Sequence, residues 1–174
     1  MPKPFSDDTD ALLYHKNWID TVQWHLEDII RNPEINPVEA LQLKRRIDKS
    51  NQDRTDLVEK IDDYFMAQFK HVQLLDGARQ NSETPAWLLD RMSILMLKIF
   101  HMQEQVDRKD ASADHKAKCQ SKLNVLLEQK ADMAKCFDEL MDDLQKGVRK
   151  MKLYRQMKMY NDASLNPVLY GTKK

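Results

Sequence analysis

The chain has 174 residues, enough for one or at most two domains, and its 28 basic and 28 acidic residues cancel to a formal charge of zero. That balance excludes a global pull toward nucleic acid or an anionic membrane, while 41% hydrophobic residues allow a packed core that a disordered chain lacks. Met1 to Asp10 has no apolar run of the kind a secretory signal needs, and Ile94 to Phe100 is interrupted by Lys98 and falls far short of the ~20 residues of a bilayer span. The expectation is therefore a cytoplasmic protein with no membrane span.

Proline is absent between Pro37 and Pro85 and between Pro85 and Pro167, and only Gly77, Gly147 and Gly171 interrupt the chain as glycines. Both windows suit long helices, because proline removes an amide donor and breaks the turn. A first helix is predicted over 8–31, with Leu12, Ile19, Val22, Leu26 and Ile29 recurring in steps of three and four to make one stripe. The second, 37–69, opens on Asn36, Pro37 and Glu39, which suit N-cap, N1 and N3. Its seam runs Ile47, Asn51, Arg54, Val58, Ile61, Phe65, Phe69, so two polar residues interrupt an apolar stripe.

Residues 72–83 have loop composition. Thr84 and Pro85 then start a third helix, 85–109, by the same cap-then-proline pattern, and its wide apolar surface makes it the most buried of the set. The fourth, 112–160, carries Leu123, Leu126, Met133, Phe137, Leu140, Leu144, Val148 and Met151 in register. At 1.5 Å per residue it would be about 70 Å long, so it must kink, near Gly147, or overhang the others. Cys119 and Cys136 stand seventeen residues apart on it, roughly 25 Å, which excludes an intramolecular disulfide. The expected fold is an all-α four-helix bundle without a sheet, one helical domain over 1–174, with an irregular tail folding back through Leu165, Val168, Leu169 and Tyr170.

Three polar features interrupt this pattern. On the first helix Asn17, Thr21, Trp24, His25 and Asp28 share a face; His25 and Asp28 either orient an imidazole, supply two metal ligands, or are simply solvated. Arg54 occupies a seam position, where an unpaired guanidinium would cost several kcal/mol, so a carboxylate or bound anion should meet it, with Asp28 the first candidate. On the third helix Lys98 and His101 are spaced to hold an anionic group or to form a solvated face. A further run, Lys146 to Lys158, has six basic residues and no acid. It would either grip phosphates or stabilise a helix C-terminus, and nucleic acid is the disfavoured reading.

Enzyme templates fit poorly. Ferritin-like di-iron sites need Glu-x-x-His on two helices, and no histidine here has Glu three residues before it. Glu59-Lys60-Ile61-Asp62 is similar to half of the magnesium motif of all-helical nucleotide pyrophosphohydrolases, but the upstream carboxylates are incomplete. Helical chorismate mutases share only an Ile-Asp start like Ile47-Asp48.

Taken together, 17–28 (NWIDTVQWHLED), 43–62, 83–102 and 158–170 resemble a bacterial domain-of-unknown-function family marked by a Trp-His-x-Glu-Asp element, here Trp24, His25, Glu27 and Asp28. The resemblance implies a small cytoplasmic helical protein and transfers no catalytic residue or cofactor. The residues themselves support three functions. One is a polar cleft binding a small phosphate- or carboxylate-bearing ligand through Trp24, His25, Asp28, Asn51, Arg54, Lys98 and His101. Another is an interaction or scaffold protein, with homo-oligomerisation open. The last is a divalent-metal phosphohydrolase using Asp28, Glu59 and Asp62.

Overall fold

A computed structural model describes residues 8–156, 163–165 and 168. These form four helices, α1 (Asp8–Ile30), α2 (Pro37–Phe69), α3 (Pro85–Asp107) and α4 (Ala113–Gln145), with a short 3-10 turn at Ala163–Leu165. The all-α bundle expected from periodicity is observed, and among the described residues no helix is long and apolar enough to cross a membrane. Each of α2, α3 and α4 starts where its capping chemistry places it. The Asn36 side chain accepts from Val38 N at 2.9 Å, Thr84 Oγ1 from Trp87 N at 3.3 Å and Ser112 Oγ from His115 N at 3.2 Å. Each bond satisfies an amide that has no partner within its own helix.

α1 pairs with α2 and α3 with α4, while α3 also packs on both α1 and α2. The central core joins Leu57, Val58, Ile61 and Phe65 of α2 to Ala86 of α3, with Phe137 of α4 packed against it. Leu88 and Leu95 of α3 meet Met133, Leu140 and Leu144 of α4 in a second cluster. Leu26, Leu43 and Ile47 close the turn end of the α1–α2 hairpin.

Four expectations are corrected. The fourth helix does not run to about residue 160. It ends at Gln145, and residues 146–156 are not helical, while 157–160 lie outside the described residues. The stop is a Schellman motif: Val148 N donates to Asp143 O at 3.0 Å and Gly147 N to Leu144 O at 3.2 Å, with Gly147 at φ +70°. Only a residue free to adopt a left-handed conformation closes the helix this way.

The chain then turns back to form a small parallel bridge, in which β2 (Arg149–Lys150) pairs with β1 (Arg79–Gln80) of the loop before α3. A sheetless fold is therefore corrected by two residues per strand. Such short pairing carries no alternation of apolar residues and leaves no trace in the sequence.

The stripe on α1 is also rotated from its expected position. Leu26 is buried, but Leu12, Ile19 and Val22 are half-buried and Ile29 is 49% exposed. The most buried positions of α1 are Lys16 and Asp20. In the tail, Leu165 and Val168 are exposed, so these two do not pack back onto the bundle; Leu169 and Tyr170 lie outside the described residues. Within the basic run, Lys146 pairs with Asp142 at 2.6 Å, Arg149 with Asp143 at 2.8 Å, and Arg155 with Glu59 and Asp63. These charges brace the end of α4 and tie the following segment to α2.

Candidate functional site

The polar seam of α2 is met by polar residues on both neighbouring helices. Lys16 and Asp20 of α1, Arg54 of α2 and Asp90 of α3 form one ion-pair cluster, in which Lys16, Asp20 and Asp90 are no more than 2% exposed. Arg54 holds Asp90 through two hydrogen bonds, Nε to Oδ1 at 2.8 Å and Nη2 to Oδ2. Lys16 Nζ pairs with Asp20 within its own helix and reaches Asp90 Oδ1 at 2.9 Å. Ser93 Oγ donates to Asp20 Oδ2 at 2.6 Å and itself accepts from Asn17 Nδ2 at 3.1 Å.

Two cations face two anions, so the cluster is neutral and each charge has a partner of opposite sign within it, although Asp20 Oδ1 accepts no hydrogen bond. Burial pushes the Asp90 carboxyl up, but hydrogen bonds and charge from Arg54 and Lys16 outweigh it and hold the group below the usual carboxylate range. The bond to Asp90 raises Arg54 in turn, against the opposing effect of its own burial.

Asp28, the partner expected for Arg54, is exposed and sits two turns further along α1. Asn51 also belongs to the helix interface, accepting from Gln23 Nε2 at 2.8 Å. Asn51 and Arg54 are thus framework residues. Lys16 and Asp20 escaped the sequence reading because an i,i+4 Lys–Asp pair is the usual sign of a solvated helix face.

Four other candidates do come together. Trp24, Asp28, Lys98 and His101 line a cavity of about 630 Å³ between α1, α3 and α4. The Trp24 and His101 rings stack with centroids 4.7 Å apart and planes 14° apart. His101 Nδ1 is 2.7 Å from Glu104 Oε2, which fixes the ring. His25 touches His101 edge-on at 6.2 Å but does not line the cavity. Met102, Val125 and Leu126 give the cavity an apolar side, and Lys122 of α4 adds a second ammonium group that sequence reasoning missed. Lys122 lies one turn before Leu126 on an exposed face, and only the tertiary arrangement aligns it with Lys98. Among the described residues neither lysine has an ion-pair or hydrogen-bond partner.

The metal-site candidates are not brought together. The Gln23–Asn51 contact sets the antiparallel register of α1 and α2, which leaves Asp28 roughly 20 Å along the hairpin from Glu59. Glu59 bonds Arg155 and the backbone amide of Gln156, and among the described residues no group of three or more His, Cys, Asp or Glu could hold a metal ion.

Asp62 is 4% exposed, beside the N-terminus of α3, and its Oδ1 lacks a hydrogen-bond partner. Burial raises its pKa, against the opposing hydrogen bond from Thr84 and the charge of Arg155. A carboxyl raised on folding contributes stability that is fully present below its unfolded pKa of about 3.9 and is lost as pH rises through the folded value. Urea unfolding of wild type and Asp62→Asn from pH 3.5 to 7.5 should show the variant gaining on wild type as pH rises. A constant difference across that range would count against the assignment.

The whole of this arrangement lies within a recognised domain: a family model described as protein of unknown function (DUF4254) matches residues 10–153. The chain belongs to that family. The match spans all four helices apart from the first two residues of α1, together with every candidate residue named above. No curated protein and no solved structure shows significant similarity to the chain. Family membership therefore assigns no activity, and function has to be argued from the cavity.

Proposed function

We propose that the cavity between α1, α3 and α4 binds a small ligand with an apolar body and an anionic group, a phosphate or carboxylate. One observation carries this reading: Lys98 and Lys122, on different helices, line the same apolar-sided cavity without an acidic partner among the described residues. Two ammonium groups held near one another repel, and an anion between them removes that repulsion while gaining charge-assisted hydrogen bonds. The volume of about 630 Å³ falls within the usual range for small-molecule sites, and the stacked Trp24–His101 pair supplies a flat aromatic wall. The anion role expected of Arg54 passes to Lys122, since Asp90 already neutralises Arg54.

The ligand would bridge α3 and α4 and touch α1, joining the two hairpins. Cys119 and Cys136 are both free thiols, which fits the reducing cytoplasm in which we place this activity.

Thermal unfolding with butyl phosphate tests the reading. Saturation should raise Tm for the wild type, and Lys98→Ala/Lys122→Ala, both at exposed positions, should lose at least about tenfold in affinity while melting normally without ligand. An unchanged Tm in the wild type up to millimolar phosphate ester would defeat it.

A further inference from the structure

We propose that the anion cleft continues past Trp24 into a second cavity of opposite charge, and that the two together take a small zwitterion, with an ammonium group at one end and a phosphate or carboxylate at the other. This inference rests on the anion reading above. The second cavity, of about 340 Å³, lies between α1 and α3, and Trp24 and Asp28 line both spaces. Beyond those shared residues its wall includes Asp20, Gln23, Glu27, Arg31 and Ile94, so three carboxylates, with Asp28, face one cation.

The acidic groups of this wall are not equivalent. Glu27 is tied to Arg31 at 3.1 Å. The Asp28 carboxylate has no ion-pair or hydrogen-bond partner among the described residues. Asp20 is 2% exposed, and although Lys16 and Ser93 hold one of its oxygens, Oδ1 accepts no hydrogen bond. Arg54 approaches that oxygen through Nε at 3.6 Å, but the Nε hydrogen is given to Asp90. A buried carboxylate oxygen without a donor is costly, and the guanidinium in the wall, Arg31, is held by Glu27 and leaves that oxygen unmet.

The cleft therefore changes sign along its length, from Lys98 and Lys122 at one end to Asp20 at the other, with Asp28 at the junction lining both spaces. A simple anion complements one end alone, and a simple amine is repelled by the lysines. An ammonium group passing the indole of Trp24 is also attracted by the ring, whereas a metal ion would need more carboxylates than the described residues bring together. A molecule carrying both charges complements the whole length.

Isothermal titration of ω-aminoalkyl phosphates of two to six carbons against alkyl phosphates of matching length tests the inference. In the wild type at least one amino compound should bind about tenfold more tightly than its alkyl counterpart. Asp28→Asn, at an exposed position, should erase that advantage and bind the alkyl phosphate at least as tightly as wild type does. Lys98→Ala/Lys122→Ala should weaken both series. Equal binding of amino and alkyl compounds at every length overturns the zwitterion and leaves the anion cleft standing. Failure of every phosphate to bind overturns both, and an advantage that survives Asp28→Asn overturns the placement of the ammonium group.

Discussion

Replacing Asp90 with alanine should lower the free energy of unfolding by about 3–5 kcal/mol, the cost of leaving buried charges uncompensated. Asp90 is the hub of the cluster, bound by Arg54 through both oxygens and by Lys16 at 2.9 Å. Without it two cations share Asp20, and Lys16, 1% exposed, has no route to water. Arg54→Met should cost less, because Lys16 still bonds both carboxylates, the Arg54 position is partly exposed to water, and the methionine retains much of the stem's packing. Replacing all four charged residues with apolar residues of similar volume should recover most of the loss, since the desolvation of the ions disappears along with their attraction.

The pH dependence of this contribution has the opposite sign to that of Asp62. The Asp90 carboxyl is held below its unfolded pKa of about 3.9, so its stabilisation is complete above that value and is lost as pH falls through the folded one. Urea denaturation of wild type and Asp90→Ala at pH 7 and at pH 3 should show the gap between them narrowing in acid. Equal midpoints at pH 7 would mean that the cluster does not hold the helices together.

The other large effect is expected at Gly147. Alanine there must adopt φ +70°, and its Cβ would stand 2.3 Å from the carbonyl oxygen of Gln73, a contact that backbone has to move to relieve. The left-handed conformation costs about 1–2 kcal/mol, and displacing the 73–81 loop adds to it. That loop is tied down by Leu75 N to Gly147 O at 3.0 Å, Arg79 N to Val148 O at 3.1 Å and Asn81 N to Lys150 O at 3.3 Å. A total near 3 kcal/mol is expected for Gly147→Ala, within the range for strained backbone substitutions. Gly77 provides the control, because it also has a positive φ, +79°, but a Cβ there meets nothing within 4 Å. Gly77→Ala should lose only the cost of the left-handed conformation, about 1–2 kcal/mol. Amide hydrogen exchange at Leu75, Arg79 and Asn81 should accelerate in the first variant and hold in the second; similar exchange in both would remove the steric argument.

The limits of the four helices were legible in the chain wherever they depend on local chemistry. Asn36-Pro37, Thr84-Pro85 and Ser112 state three helix starts, because caps and N1 prolines act on amides a few residues away. The α2 seam was also legible, with Val58, Ile61 and Phe65 buried where the period places them. The end of α4 was not. Apolar period carries on through Val148 and Met151, and Gly147 alone signals either a kink or a stop; the loop that meets the chain beyond it decides for a stop.

For the candidate site the division is sharper. Sequence by itself determined that Arg54 breaks an apolar seam and that Trp24, Asp28, Lys98 and His101 recur at helical spacing, since both follow from 3.6 residues per turn. Which residues those groups meet was decided by tertiary structure alone. The rotation of α1 buries Lys16 and Asp20 in place of part of its apolar stripe, and it turns Trp24 and Asp28 toward α3 and α4. That rotation is favourable only because Arg54 and Asp90 arrive from two other helices at the same level to neutralise the buried pair, and no period within one helix encodes such a match.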